Sequence, residues 1–233
     1  MNGLEIIPVT GIGEVRPGDD LADLIIGADT EIRSGDCLVI TQKVVSKAEN
    51  RLVDIDPSDP LSHKPLVERE SVRILRRRGE LIISQTEHGF VCANAGIDLS
   101  NVERGQAALL PVDSDRSARG IKDRLQARAG LDVGIVVSDT FGRPWRRGVT
   151  DVAIGCAGIA AIVDLRGTTD ALGRELMVTE VCAVDEIAAA ADLVMGKAEG
   201  ICVAIVRGLP DEWFRRSAVV DEIVRDPADD LFR

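Results

Sequence analysis

The sequence predicts a chain of mixed helix and strand, and three observations bear on its fold. Apolar, β-branched runs recur at Cys37-Leu38-Val39-Ile40, at Val133-Gly134-Ile135-Val136-Val137 and from Ile201 to Val206, the pattern of strands buried on both faces. Between such runs lie segments that open on capping Asp or Ser and carry apolar residues at helical spacing. Neither a GxxxxGK[ST] phosphate loop nor a GxGxxG after a strand is present, and Thr10-Gly11-Ile12-Gly13 supplies only a weak Gly-x-Gly. At 233 residues, with no linker, repeat or low-complexity tract, residues 1–233 read as one domain or two small interlocked ones.

Taken in order, Leu4 to Val9 forms a short strand, and Asp19 or Asp20 caps a helix over Leu21 to Ile26. Gly35-Asp36 turns into the Cys37 strand. Thr41 to Lys47 follows as a polar break, either a ligand loop or the start of another strand with exposed lysines. Three prolines between Pro57 and Pro65 mark a loop. Leu66 to Arg78 is predicted helical, with Arg76-Arg77-Arg78-Gly79 as its basic, glycine-capped end. Leu81 to Ile83 and Phe90 to Ala93 read as strands about a turn at Thr86 to Gly89. Asp113 to Ser117 offers caps for a helix from about Ala118 to Ala129, closed by Gly130. After the Val133 run, the chain is expected to leave the sheet at Ser138-Asp139-Thr140 into a loop rich in Gly and Arg. A second apolar run begins at Val152. Asp185 caps a helix through Met195, and the tail from Trp213 is a short terminal helix or arm.

Composition narrows the partners. Net charge is −11 and the pI about 4.7, so nucleic acid and anionic membranes are poor partners. Aromatics make up 3% with no Tyr, which argues against a base-stacking surface. No apolar stretch approaches the roughly 20 residues that span a bilayer, and the N-terminus lacks signal-peptide features. Five widely spaced cysteines read as reduced core residues of a cytoplasmic protein. With two histidines, a His-based metal site or triad is disfavoured.

Polar loops at strand ends carry the candidate chemistry. They lie at Gly11, at Gln42 to Lys47, at Asn94 to Asn101, at Asp139 to Arg147 and at Gly196 to Gly200. Together they provide carboxylates (Asp98, Asp139, Glu199), the Thr140 hydroxyl, lysines, and the arginines at 143, 146 and 147. Oxygen donors suit Mg²⁺ or Mn²⁺, whereas zinc would want His or Cys. Guanidiniums can fork onto phosphate oxygens. No Cys/His or Ser/His pair supplies a nucleophile and base, so catalysis by positioning and charge neutralisation, as in phosphoryl transfer, is the expected class. The same stretches also read as ordinary turns and a solvated basic loop, since Asn, Asp, Gly and Ser are common turn residues.

Five blocks, GDCLVITQKVVSKAENR, VCANAGIDLSNV, LLPVDSD, VVSDTFGRPWRRGVTDVAIG and VTEVCAVDEIAAAADLVMGKAEG, resemble in order the coenzyme F420-0:γ-glutamyl ligase family, without the fused C-terminal reductase domain some members carry. The resemblance implies an unusual α+β fold with mixed and antiparallel sheets flanked by helices. The implied protomer is interlocked and two-lobed, dimerises, and is neither P-loop nor ATP-grasp. It implies GTP- and metal-dependent addition of L-glutamate to a deazaflavin phospholactate precursor through an acyl phosphate, then further γ-linked glutamates. Implied metal ligands are Asp98, Asp139, Thr140 and Glu199, around two Mg²⁺ or Mn²⁺ ions, with potassium left open. Implied GTP contacts are Gly11, Ile12, Gly13, Glu14, Gln42, Lys43, Lys47, Asn101, Gly196, Lys197, Ala198, Glu199, Gly200 and Ile201. Asp98, Asp139 and Arg143 are the catalytic candidates, with Arg143 facing the phosphates or the precursor's phosphodiester. The segment DLRGTTDALGREL departs from the family pattern by lacking an aromatic before its first glycine. Two other readings use the same residues, a metal-dependent nucleotide phosphohydrolase and a non-catalytic GTP-binding protein.

Overall fold

In a computed structural model that describes residues 3–196 and 199–231, the first strand is β1 (Glu5–Pro8). It is followed by α1 (Leu21–Ile26), where Asp20 Oδ1 accepts the Ala22 N–H as the N-cap. Buried β2 (Cys37–Thr41) runs straight into α2 (Gln42–Ala48). The expected polar break after Thr41 is therefore a helix, neither a loop nor a new strand. Next come β3 (Leu52–Asp54) and α3 (Lys64–Arg69).

Here the structure corrects the sequence reading again. The helix expected over Leu66 to Arg78 ends at Arg69, and Ser71–Arg78 is strand β4. β4 pairs antiparallel with β5 (Leu81–Thr86), with Arg78 opposite Leu81, so Gly79 at φ +56° makes a hairpin turn and not a helix cap. Two register irregularities in this exposed, arginine-rich edge strand blur its alternation, which is why its period misleads. β6 (Val91–Ala93) completes a three-stranded sheet, as the expected turn at Thr86 to Gly89 requires.

β7 (Gln106–Ala108) pairs with β3, and α4 (Ser114–Ala129) follows, capped by Asp113 and closed by left-handed Gly130. β8 (Gly134–Arg143) and β9 (Arg146–Ala157) form one long hairpin. The chain does not leave the sheet at Ser138 to Thr140, since pairing continues to Arg143 opposite Arg146. β10 (Ile162–Asp164) and β11 (Glu180–Cys182) pair with each other, and α5 (Ala183–Met195) follows. Asp185 is not the cap of α5 but sits in its first turn, where Oδ1 accepts the Ala153 N–H at 2.8 Å. β12 (Val203–Arg207), the four-residue helix α6 (Val219–Glu222) and a 3-10 turn at Pro227–Asp229 end the described fold.

The main sheet has the order β1-β12-β2-β8-β9. Only β2 and β8 run parallel, with Cys37 to Thr41 opposite Gly134 to Ser138. This pair fills the centre of the main core, where Leu38, Val39, Ile40, Ile135, Val136 and Val137 are fully buried. At roughly 25 cal/mol per Å² of apolar surface, such aliphatic runs supply most of the burial that holds the sheet together, with Phe90 the one buried aromatic of this core among the described residues. A second, smaller core gathers Val67, Ile82, Ala95, Ile97, Ala107 and Leu109 under the β4-β5-β6 sheet. The architecture is thus α+β with mixed and antiparallel sheets. Among the described residues, no helix is long and apolar enough to cross a membrane.

Candidate functional site

A cleft of about 920 Å³ opens where the main sheet meets the 98–106 segment. Its walls come from parts of the chain far apart in sequence: the turn after β1, the start of α2, the segment from Asp98 to Gln106, the middle of β8, and the residues around the end of α5. Most residues singled out from the sequence line it. They are Gly13, Glu14, Gln42, Lys43, Lys47, Asp98, Asn101, Asp139, Thr140, Gly196, Gly200 and Ile201. Gly11, Ile12, Glu199 and Arg143 do not line it. Gly11 faces Asp29, its missing Cβ leaving room for that carboxylate. Arg143 sits exposed near the hairpin tip, where its guanidinium donates to the Arg147 carbonyl at 3.1 Å. Glu199 is exposed. Lys197 and Ala198 fall outside the described residues.

Local structure explains how each group is aimed. Asp98 is held by a backbone bridge to Ala108, with N–H···O bonds of 3.0 and 2.9 Å in the two directions. The chain enters this bridge through Asn94 and Ala95, both in left-handed conformation, a strained run that turns it toward the cleft. Asp98 Oδ2 lies 2.7 Å from Lys43 Nζ, and its Oδ1 accepts the Ser100 N–H at 2.7 Å. Burial pushes the Asp98 carboxyl up, but the Lys43 ammonium and the Ser100 N–H outweigh it and hold the group below its ordinary range. Lys43 also donates to Ser100 Oγ at 2.8 Å. One turn along α2, Lys47 pairs with exposed Glu14 at 2.5 Å. Gln42 is buried, and its amide nitrogen donates to Ser46 Oγ and to the Leu109 carbonyl, pinning α2 to the strand after Asp98.

On the β8–β9 hairpin, Asp139 Oδ1 accepts the Thr140 N–H at 2.8 Å. Three cleft carboxylates were not picked out from the sequence, Glu103 in the 98–106 segment, Asp151 on β9 and Asp192 on α5. Asp151 is buried and accepts from Ser138 Oγ at 2.9 Å and from Thr140 Oγ1 at 2.6 Å. A signal for it existed, since one acid in the run Val149 to Cys156 has to face either solvent or a partner. The partner becomes visible only with the hairpin register.

The donors fit a hard cation in kind, being carboxylates and a hydroxyl in one cleft. Among the described residues no three His, Cys, Asp or Glu side chains close around a single point. Mg²⁺ does not require that, because it is usually held by one or two carboxylates together with substrate phosphates and water. The cleft's volume is that of a small-molecule or nucleotide site.

Comparison with known proteins gives the family. A sequence model of the F420-0:γ-glutamyl ligase family matches residues 11–208. The chain is 44% identical to the coenzyme F420:L-glutamate ligase of Methanopyrus kandleri over 99% of its own length and 98% of that protein's. It is 42% identical to the protein of that name from Methanothermobacter thermautotrophicus, over 99% of both chains. With the one from Methanocaldococcus jannaschii it shares 37% over 92% and 90% of the two lengths. A match running through every segment that walls the cleft leaves one conclusion: this chain belongs to the F420-0:γ-glutamyl ligase family.

Proposed function

We propose that this chain is an amide-bond-forming ligase that joins L-glutamate to coenzyme F420-0 at the expense of GTP and then adds further γ-linked glutamates. The observation that carries the reading is the convergence of Lys43, Lys47, Asp98, Asp139 and Thr140 on one cleft of nucleotide size in a member of this family.

In the proposed reaction the acceptor's carboxylate attacks the γ-phosphorus of GTP, forming an acyl phosphate and releasing GDP. The glutamate amine, as the free base, then attacks the acyl carbon, the acyl C–O bond to phosphate breaks, and the nitrogen loses its second proton to give the amide. Both steps move negative charge onto oxygens, so cationic groups already in place lower the barrier without reorganising. Lys47 and Lys43 are those groups. Each is held beside a carboxylate (Glu14 and Asp98 respectively), so it is already oriented toward the cleft. Gly196 and Gly200, both at positive φ, let backbone approach a ligand where a side chain would intrude. Asp98, Asp139 and Thr140 would hold Mg²⁺ or Mn²⁺, which supplies charge neutralisation between phosphate oxygens. Arg143, outside the cleft lining, is assigned to the precursor's phosphodiester. The protomers are read as a homodimer. In its support, Leu172, Met177 and Val178, all in the segment between β10 and β11, stand more than two-thirds exposed.

The test incubates the chain with GTP, Mn²⁺, glutamate and F420-0 and reads product masses and GDP. Products heavier by successive glutamyl residues, with GDP formed only when both co-substrates are present, are expected. GDP release without glutamate and acceptor, and no heavier product, would instead mean a phosphohydrolase.

A further inference from the structure

We infer that Asp151 is a positioning residue of the cleft, which accepts the hydrogen bond of the Thr140 hydroxyl and so presents that oxygen to a divalent cation as an acceptor. This rests on the cation reading given above for Thr140 and adds a residue to it.

The geometry begins with a β-bulge. Up to Val137 the β8–β9 ladder pairs Val137 with Gly155; from Ser138 it pairs Ser138 with Ala153 and Thr140 with Asp151. Carried on unchanged, the first register would set Val152 opposite Thr140. The extra residue on β9 therefore turns a carboxylate, and not a valine, onto the face that Ser138 and Thr140 share. Close backbone packing accompanies the bulge, since a Cβ on Gly155 would lie 2.4 Å from the Ser114 carbonyl carbon. Asp151 is 3% exposed and receives both hydroxyls, at 2.9 Å from Ser138 and 2.6 Å from Thr140.

A hydroxyl has one proton and two lone pairs. An ionised carboxylate only accepts, so the proton of each bond belongs to the hydroxyl. With its O–H directed at Asp151, Thr140 Oγ1 meets any other neighbour as an acceptor, the form a cation needs and a phosphate oxygen does not. The neighbouring negative charge also raises the electron density on that oxygen, as outer carboxylates do for metal ligands. Asp151→Asn keeps the shape but has one accepting oxygen and one donating nitrogen. It can no longer hold both hydroxyls as donors.

The experiment measures Mn²⁺ affinity from the loss of the free-ion electron paramagnetic resonance signal, with GTP present and no acceptor or glutamate. Wild type, Asp151→Asn, Thr140→Val and the double variant are compared, each checked for wild-type circular dichroism. Asp151→Asn should weaken Mn²⁺ about 10- to 100-fold. The double variant should be no weaker than Thr140→Val, because Asp151 acts through that hydroxyl. Wild-type affinity in Asp151→Asn, or fully additive losses in the double variant, would overturn the inference. Should Asp151→Asn not fold, Thr140→Val and Thr140→Ser decide: loss in the first with retention in the second supports it, and no loss in the first overturns it. Absence of Mn²⁺ binding by the wild-type protein would bring down the cation reading itself, and the role of Asp151 with it.

Discussion

Lys43 Nζ sits 2.7 Å from Asp98 Oδ2, the closest charged contact of the cleft's 98–106 wall. Two groups expected to serve one ligand thus neutralise each other until it arrives. A cation at Asp98 and a phosphate at Lys43 would each take over half of the pair. Neither partner need leave a buried charge unpaired.

The first prediction concerns pH. The folded Asp98 carboxyl titrates below its ordinary value of about 3.9. A depressed acid adds stability that is present above the unfolded value and lost as pH falls through the folded one. In Lys43→Met the burial of Asp98 is no longer opposed by the ammonium, so its pKa should rise. The variant should be less stable than wild type at neutral pH, and the gap should close as pH drops below about 4. Urea unfolding from pH 7 down to the acid limb reads this. A gap independent of pH would mean that Lys43 acts through packing alone.

The second concerns Asp139. Its carboxylate lies half-buried on β8 and accepts the N–H of the next residue. Asp139→Asn keeps an acceptor for that bond and removes the charge. Glutamate ligation should fall below detection while circular dichroism and the melting temperature stay close to wild type. Product masses near the wild-type yield would remove Asp139 from the site.

Metal and nucleotide should stabilise together. GTP at about 100 times its dissociation constant adds about 2.7 kcal/mol to a single-site protein. That gain should be seen as a raised melting temperature with Mg²⁺ or Mn²⁺ and should disappear in EDTA. Equal shifts in both conditions would mean that the protein binds the nucleotide without a bridging ion.

Gly155→Ala tests the bulge. No positive φ is involved, so the cost is steric: the new Cβ would meet the backbone of Ser114 at 2.4–2.5 Å, and backbone cannot swing aside as a side chain can. Overpacking of this kind costs about 1–3 kcal/mol. Denaturant unfolding should show a loss at or above that range. An unchanged midpoint would mean that β9 and α4 separate freely there.

Asp115 ties the tail to the sheet. Buried at the start of α4, it accepts the N–H groups of Cys156 and Val219, each at 2.8 Å, and of Val220 at 3.1 Å. Asp115→Ala leaves three donors without that acceptor, each worth about 1–3 kcal/mol when buried. Hydrogen exchange should accelerate at Val219 and Val220 before the β2–β8 centre opens. Uniform acceleration across the chain would mean that the tail is not a separate unit.

The sequence by itself determined the elements whose causes are local. A cap at Asp19 or Asp20, another within Asp113 to Ser117, the closure of α4 at Gly130, and buried strands at the Cys37 and Val133 runs each depend on neighbours within a few residues, whereas the parallel pairing of those two strands does not. Family membership was equally legible, because it rests on blocks of adjacent residues. Only the tertiary structure decided that Ser71–Arg78 is a strand, for its alternation is broken by irregularities set by β5, and that Asp139 lies within a hairpin rather than beyond a strand. It alone brought Asp151 across from Thr140, because a one-residue shift in register exchanges every side chain between faces, and nothing in the order of residues states where that shift occurs.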